Sequence, residues 1–286
     1  MTHFVSVIIP VYNDPRVELA VQALLAQDYP ASAFEIIVVD NASTDDTPAI
    51  LRRLQATHPE RIRLGLEDEI QSSYAARNKG IEMARGDILA FTDSDCIPTP
   101  SWLSAGVAGM IAQGASCAGG AIEFTFQGGR PNVYEYWDAA RKLNQRHYVQ
   151  DVGFAATANF FVYRGILERH GFFRSDLISG GDYEFGRRVT QAGETMIYLP
   201  EAIAHHPARA TFWAIYRKSR RVARGQQQLE RLSLLQHGRR SLRQLRPTRS
   251  YPEDPRWVGS LSHLDKLRLV ALGNLLRWIT YFVKAA

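Results

Sequence analysis

Asp93-Ser94-Asp95 closes an apolar run, Ile88-Leu89-Ala90-Phe91-Thr92, and sets two carboxylates one residue apart. Hard oxygen donors in this spacing suit Mg²⁺ or Mn²⁺ holding a diphosphate, because these ions favour carboxylate, water and phosphate oxygens. Asp182 and Glu184 follow Gly180-Gly181, where the backbone can come close to a ligand. Two readings stay open for these acids: residues at a helix start favoured by the macrodipole, or a general base that takes a proton from a hydroxyl. His205-His206 offers imidazoles that are either ordinary polar side chains or ligands completing a carboxylate-poor Mn²⁺ shell. Cys96 follows Asp95 and could be read as a nucleophile; a small buried side chain at a strand end is the simpler reading.

These groups need elements to hold them. Residues 4–9 and 35–39 are short β-branched apolar runs of the kind found in strands buried on both faces. Ile62-Arg63-Leu64 and residues 88–92 make a third and a fourth strand. Helical spacing falls between them: Val17, Val21, Leu24 and Leu25, then Ile50, Leu51 and Leu54 after an N-cap at Thr44 or Asp46, then 73–84. Strands alternating with helices predict βαβ units and a mostly parallel sheet, in which ligands bind beyond the C-terminal strand ends. Asp14, Asp40 and Asp93 each lie just past a predicted strand. Acids converging from three strands repel unless a cation offsets them.

The second half is less regular. The pattern predicts a strand over 116–126, a helix over 133–146, a strand or strand pair over 154–163, a helix over 183–192 and a late strand over 196–200. A basic helix follows from Thr211 to about His237, then a proline-rich linker over 246–256. The domain expectation is a catalytic domain over 1–210, with a nucleotide-binding half (1–95) and an acceptor half (96–210), then a basic helical extension over 211–286.

Composition narrows the class. The chain has 286 residues, 45% hydrophobic and 22% charged, as expected of a folded globular protein. Cys96 and Cys117 are too few for a disulfide framework and have no zinc spacing, which fits a reducing cytoplasmic setting. Met1-Thr2-His3 leads straight into a strand pattern, so no leader is expected. No apolar stretch reaches the roughly 18 uncharged residues of a spanning helix. The net charge of +5 hides an asymmetry: residues 217–249 hold eleven Arg or Lys against Glu230 alone. That basic third points to a polyanionic surface, membrane or nucleic acid.

Five motifs in order carry a family resemblance. They are Val5-Ser6-Val7-Ile8-Ile9-Pro10-Val11-Tyr12-Asn13; residues 35–47 around Val39-Asp40-Asn41-Ala42-Ser43; Ala75-Ala76-Arg77-Asn78-Lys79-Gly80-Ile81; Gly86 to Asp95; and Gly180-Gly181-Asp182-Tyr183-Glu184-Phe185. Over roughly residues 4–210 the chain resembles the family 2 glycosyltransferases, inverting enzymes of the GT-A fold. The resemblance implies an α/β fold with a GT-A-type, Rossmann-like, mostly parallel sheet flanked by helices. It implies a nucleotide-sugar donor, a UDP-sugar by preference, with Mn²⁺ or Mg²⁺ as cofactor. Pro10 and Tyr12 would line the base pocket, Asp40 would accept from the base, and Arg77 would approach base or phosphate. Asp93 would meet ribose or metal and Ser94 the donor, while Asp95 and His206 would hold the metal. Asp182 falls at the catalytic base, with Glu184 its neighbour; the family often has Glu-Asp here, where this chain has Gly181-Asp182.

The C-terminal end adds an expectation about location. Leu267, Val270, Ala271, Leu275, Trp278, Ile279 and Phe282 form an apolar arc with Lys266, Arg277 and Lys284 opposite and Arg268 intruding. That suits an interfacial helix on the inner face of the plasma membrane; packing on the catalytic domain, or on a second copy in a homodimer, is the rival. With a membrane, the acceptor is a lipid-linked sugar or a growing surface glycan, as in cell-surface polysaccharide biosynthesis. Three other classes compete with this reading. A sugar-phosphate nucleotidylyltransferase should carry a Gly-rich loop where Val11-Tyr12-Asn13-Asp14-Pro15 stands. Nucleic-acid binding explains the basic segment but not the acidic cleft, and no nucleic-acid partner is expected. A non-catalytic nucleotide-sugar-binding protein is the third.

Overall fold

A computed structural model describes residues 2–285 except 142, 236–244, 255 and 257. The basic stretch at 239–243 therefore lies outside the described residues, while the helix expected to reach about His237 ends within them, at Arg231 with Leu232 as its C-cap.

The first half forms as its periodicity predicts. β1 (Val5–Val11), β2 (Phe34–Asp40), β3 (Ile62–Leu66) and β4 (Ile88–Thr92) alternate with α1 (Val17–Leu25), α2 (Thr47–Thr57) and α3 (Ser73–Met83). β1 and β2 are buried at every position, as both faces of a parallel sheet require. β1 pairs in parallel with β2 and β4, and β2 with β3. Because the strands are parallel and in register, Val11 stands beside Asp40 and all their loops leave from one sheet edge.

The second half contributes β5 (Ile97–Pro98), α4 (Trp102–Gln113), β6 (Cys117–Thr125), α5 (Val133–Ala140), α6 (Gln145–His147), β7 (Asn159–Tyr163), α7 (Arg164–His170), α8 (Gly181–Gln191) and β8 (Met196–Pro207). The eight strands run β3-β2-β1-β4-β7-β6-β8-β5, with β7 antiparallel to β4 and β6, and β5 antiparallel to β8. Three expectations change. The helix predicted over 133–146 breaks after Ala140, the strand predicted from 154 begins at Asn159, and the late strand runs on to Pro207. Two helices, α4 and α7, had no counterpart in the sequence reading. The α4 sequence, WLSAGVAGMIAQ, is rich in small residues and gives no polar face to detect. Its Gly106 lets the helix lie against the Phe161 ring, which a Cβ would meet at 2.4 Å.

The chain divides into two compact units. One comprises Met1–Glu123, Asn144–Asp176 and Gly181–His206, and its core packs the Val5, Val7, Ile9 and Val11 face of β1 and the Phe34, Ile36 and Val38 face of β2 against α1, α2 and α4. The other comprises Phe124–Leu143, Leu177–Gly180 and Pro207–Ala286. In that second unit α9 (Phe212–Arg231) and α10 (His263–Ala285) pack on α5 around Tyr136, Trp137, Ile215, Leu269, Leu272 and Leu276. The buried Asp138 carboxylate on α5 accepts from Lys218 Nζ at 2.6 Å and Arg209 Nη1 at 3.0 Å. Among the described residues no helix is long and apolar enough to cross a membrane.

Candidate active site

The strand ends gather the acids. Asp93, Ser94 and Asp95 leave β4, and β5 starts two residues after Asp95. β5 is held antiparallel to β8 with Ile97 opposite His205. That register brings His206 to the same corner, its Nε2 at 4.0 Å from Asp95 Oδ1. The histidines thus lie within a strand rather than after one. Its period-two alternation buries Ala202, Ala204 and His206 and leaves His205 half-buried near Glu123.

The ligand atoms of Asp93, Asp95, Cys96 and His206 lie within 4.8 Å of one another. Two carboxylates and an imidazole are a donor set that fits Mn²⁺ or Mg²⁺. Cys96 is a different matter. It is fully buried, and burial, followed by the Asp93 and Asp95 charges, holds its thiol well above its ordinary value. A thiol that stays protonated is neither nucleophile nor ligand for a hard cation, and Cys96 serves as a packing residue. Burial likewise pushes the Asp95 carboxyl up, with Asp93 and Asp14 adding to the rise and His206 and Arg16 opposing it. Crowded carboxylates of this kind gain from a cation between them.

Two basic residues already neutralise part of that charge. Arg77, only 4% exposed, donates from Nη2 to Asp93 Oδ1 at 2.6 Å and from Nη1 to the Ser73 carbonyl at 3.3 Å. Its Nε is buried and unpartnered. Arg16 forks onto Asp14 at 2.8 and 3.1 Å and reaches Asp95 Oδ2 at 3.3 Å. Ser94 Oγ donates to the other side of the same group, Asp14 Oδ2, at 2.7 Å. Sequence reasoning missed Arg16. Its only trace was a charge between the end of β1 and the start of α1.

The loops after β1 and β2 form the neighbouring wall. Asn13 and Ala42 both have positive φ, 47° and 60°, and an alanine there holds backbone strain of about 1–2 kcal/mol. Asn13 fastens the two loops: its N–H donates to Ser43 Oγ, and its Oδ1 accepts from the Thr44 N–H at 2.7 Å. The buried Asp40 accepts from the Ser43 N–H at 3.1 Å. Pro10 is buried in β1 beside Val39, and the Tyr12 ring is 49% exposed, free of the core.

Asp182 opens α8, and Tyr183 N–H donates to its Oδ1 at 2.9 Å. Tyr74 Oη, from the first turn of α3, donates to the same oxygen at 3.4 Å. Burial raises the Asp182 carboxyl and Asp93 adds to this, while the Tyr183 N–H and Arg77 pull it down. A proton acceptor moved up towards neutrality in this way is suited to general-base work. Gly181 explains the departure from the family pattern. A Cβ there would meet the Tyr74 ring carbons at 2.9 Å, so glycine is what lets that ring stand beside Asp182. Glu184 is not brought to this cluster. Arg188 grips both its oxygens, at 2.9 and 3.0 Å, and donates onward to the carbonyls of His170, Gly171 and Phe172 at the end of α7.

A mixed sheet whose parallel half presents acids at its C-terminal edge, closed by an antiparallel strand carrying a histidine, defines a GT-A-type glycosyltransferase. The mannosyltransferase PcManGT from Pyrobaculum calidifontis, solved with GDP-Man and Mn²⁺, shares the fold: TM-score 0.65 at 20% identity, covering 100% of this chain and 74% of that one. Residues 6–171 match the model of glycosyl transferase family 2. The chain is 40% identical over 235 residues to the glycosyltransferase AglE of Haloferax volcanii, covering 81% of this chain and 76% of that relative. It is also 25% identical over 234 residues to a Methanococcus voltae glucuronosyltransferase named for a dolichyl N-acetyl-α-D-glucosaminyl phosphate, covering 73% of this chain and 68% of that one. This protein is a member of glycosyltransferase family 2, and an enzyme.

Proposed function

We propose that the enzyme transfers a sugar, with inversion, from a nucleoside diphosphate sugar to a hydroxyl of a lipid-linked or growing glycan, using Asp182 as base. The observation that carries the reading is the position of Arg77. It binds Asp93 directly and its charge acts on Asp182, so the carboxylates suited to a cation and the candidate base share one cleft.

On this reading the exposed Tyr12 ring stacks on the nucleobase over Pro10, and Asp40 accepts from the base edge. Asp93 and Ser94 lie along the ribose and diphosphate, with Arg77 fixing the Asp93 carboxylate. Asp93, Asp95 and His206 would hold Mn²⁺ or Mg²⁺, which when bound offsets charge building on the leaving diphosphate. Asp182 takes the acceptor hydroxyl proton, its Oδ1 kept in place by Tyr74 and the Tyr183 N–H. The hydroxyl oxygen attacks the anomeric carbon from the face opposite the leaving group, through a transition state like the oxocarbenium ion of glycosidases. A single displacement inverts that centre. Glu184 supports the site indirectly, by holding Arg188 against the end of α7.

Family resemblance favours a UDP-sugar. The structural neighbour's GDP-Man and the lipid phosphate in the methanogen enzyme's name support the wider class of donor and a lipid-linked acceptor. The test is a thermal-shift screen of nucleotide sugars with and without Mn²⁺. A matching donor raises Tm in the wild type only when the cation is present, and Asp95→Ala abolishes that cation-dependent shift. A donor shift of equal size without cation would remove the metal assignment.

A further inference from the structure

The second unit presents two exposed stripes that the transfer reading leaves unused. α10 buries Leu269, Leu272 and Leu276 against α5 and α9, and Gly273 lies against the Trp137 ring. At 100° per residue these fall on one side of the helix. Leu264, Leu267, Ala271, Leu275, Trp278 and Phe282 fall on a different arc of about 80°, and every one of them is exposed, Leu267 at 63% and Phe282 at 61%. Arg268, 59% exposed, borders that arc. The apolar positions of α10 are therefore more than one core face can bury, and the helix is amphipathic twice over.

α9 runs beside α10 in the same direction. Ile215 near its start joins Leu269 and Leu272, and Glu230 near its end accepts from Lys284 at 3.0 Å. Its exposed positions read Trp213, Arg217, Arg221, Arg224 and Arg231, an arginine stripe headed by a 64%-exposed tryptophan. Glu230, the one acid of the helix, is buried and paired with Lys284, so no acid of α9 stands on this exposed stripe.

We propose that α9 and α10 together dock the enzyme on the surface of an anionic lipid bilayer. The α10 stripe enters the boundary between headgroups and acyl chains, and the α9 arginines and Arg268 meet the headgroup phosphates. The charge decides the occupant. A second copy of this chain would bring arginine stripe towards arginine stripe, whereas an anionic leaflet complements it. The apolar side chains are of the kinds that insert, with Trp278 and Trp213 suited to the interface. The proposal does not depend on which sugar is moved or on Asp182, so it can fail while the transfer reading stands.

The experiment is co-flotation of the 286-residue chain with vesicles of neutral lipid alone and with vesicles rich in anionic phospholipid, whose negative surface potential attracts polybasic segments. Wild type floats with the anionic vesicles and stays in the soluble fraction with neutral ones. Leu267→Glu/Phe282→Glu, at exposed positions, abolishes flotation while donor-induced thermal shift is kept. Arg217→Gln/Arg224→Gln weakens partition by about fivefold per arginine removed. Soluble recovery of wild type at both compositions overturns the proposal. Undiminished flotation of either double variant does so too, as does a dimer seen by light scattering that Leu267→Glu/Phe282→Glu dissociates.

Discussion

Arg77 Nη2 lies 2.6 Å from Asp93 Oδ1, a charge-assisted hydrogen bond from a guanidinium almost wholly withdrawn from water. Such a cation is stable only because its partner is fixed beside it. Arg77→Met therefore leaves Asp93 without its donor, at a cost of about 1–3 kcal/mol in urea unfolding. It should also weaken donor binding, because the Asp93 carboxylate loses its orientation. Unchanged stability would show that the pair contributes nothing net.

Tyr74 and Gly181 act on the same oxygen. Removing the phenol hydroxyl in Tyr74→Phe takes one donor from Asp182 Oδ1 while keeping the ring that fills the space over Gly181. The expected result is a severalfold fall in kcat, little change in donor affinity, and a rise in the acidic pKa of the rate profile, since a hydrogen bond to the charged form is lost. Gly181→Ala displaces the ring itself and should cost more than Tyr74→Phe. Equal kcat for wild type and Tyr74→Phe would leave the tyrosine a packing role alone.

Glu35 gives a pH-dependent stability that is independent of the site. It is 1% exposed, and although burial raises its carboxyl, hydrogen bonds from Ser6, the Arg85 backbone and side chain, and Arg63 bring the net value below the ordinary one. A depressed folded pKa means the contribution is full above the unfolded value near 4.3 and is lost as pH falls through the folded value. Denaturation across pH 7 to about 3 should show wild type well ahead of Glu35→Gln at neutrality and the two converging in acid. A constant gap at every pH would contradict the assignment.

Much of this was legible in the sequence for identifiable reasons. The β-branched runs of β1 and β2, buried at every position, carry their own signal, and once a parallel sheet is granted the acids after β1, β2 and β4 must share an edge. Asp182 was legible through the two glycines before it. Other features depend on contacts no local pattern encodes. His206 joins Asp95 only through the β5–β8 register, and Glu184 is claimed by Arg188 one turn on. Arg16 and Tyr74 gain their meaning from partners 79 and 108 residues away. Tyr74 did leave a trace, since it precedes Arg77 by three residues and so shares its helix face. The amphipathic C-terminal helix was visible, but not that it has one apolar face for the protein and another left exposed.

Asp182 is the group on which the proposed transfer most depends, and Asp182→Asn tests its role as base with little change in shape. With a donor that the wild type uses, transfer to acceptor and donor affinity are measured on the same preparation. With Asp182 as the base, turnover falls by about 10²–10⁴-fold, the usual share of general-base catalysis, while the donor dissociation constant stays within a few-fold of wild type. Retained turnover, or loss of donor binding in step with activity, would contradict that role.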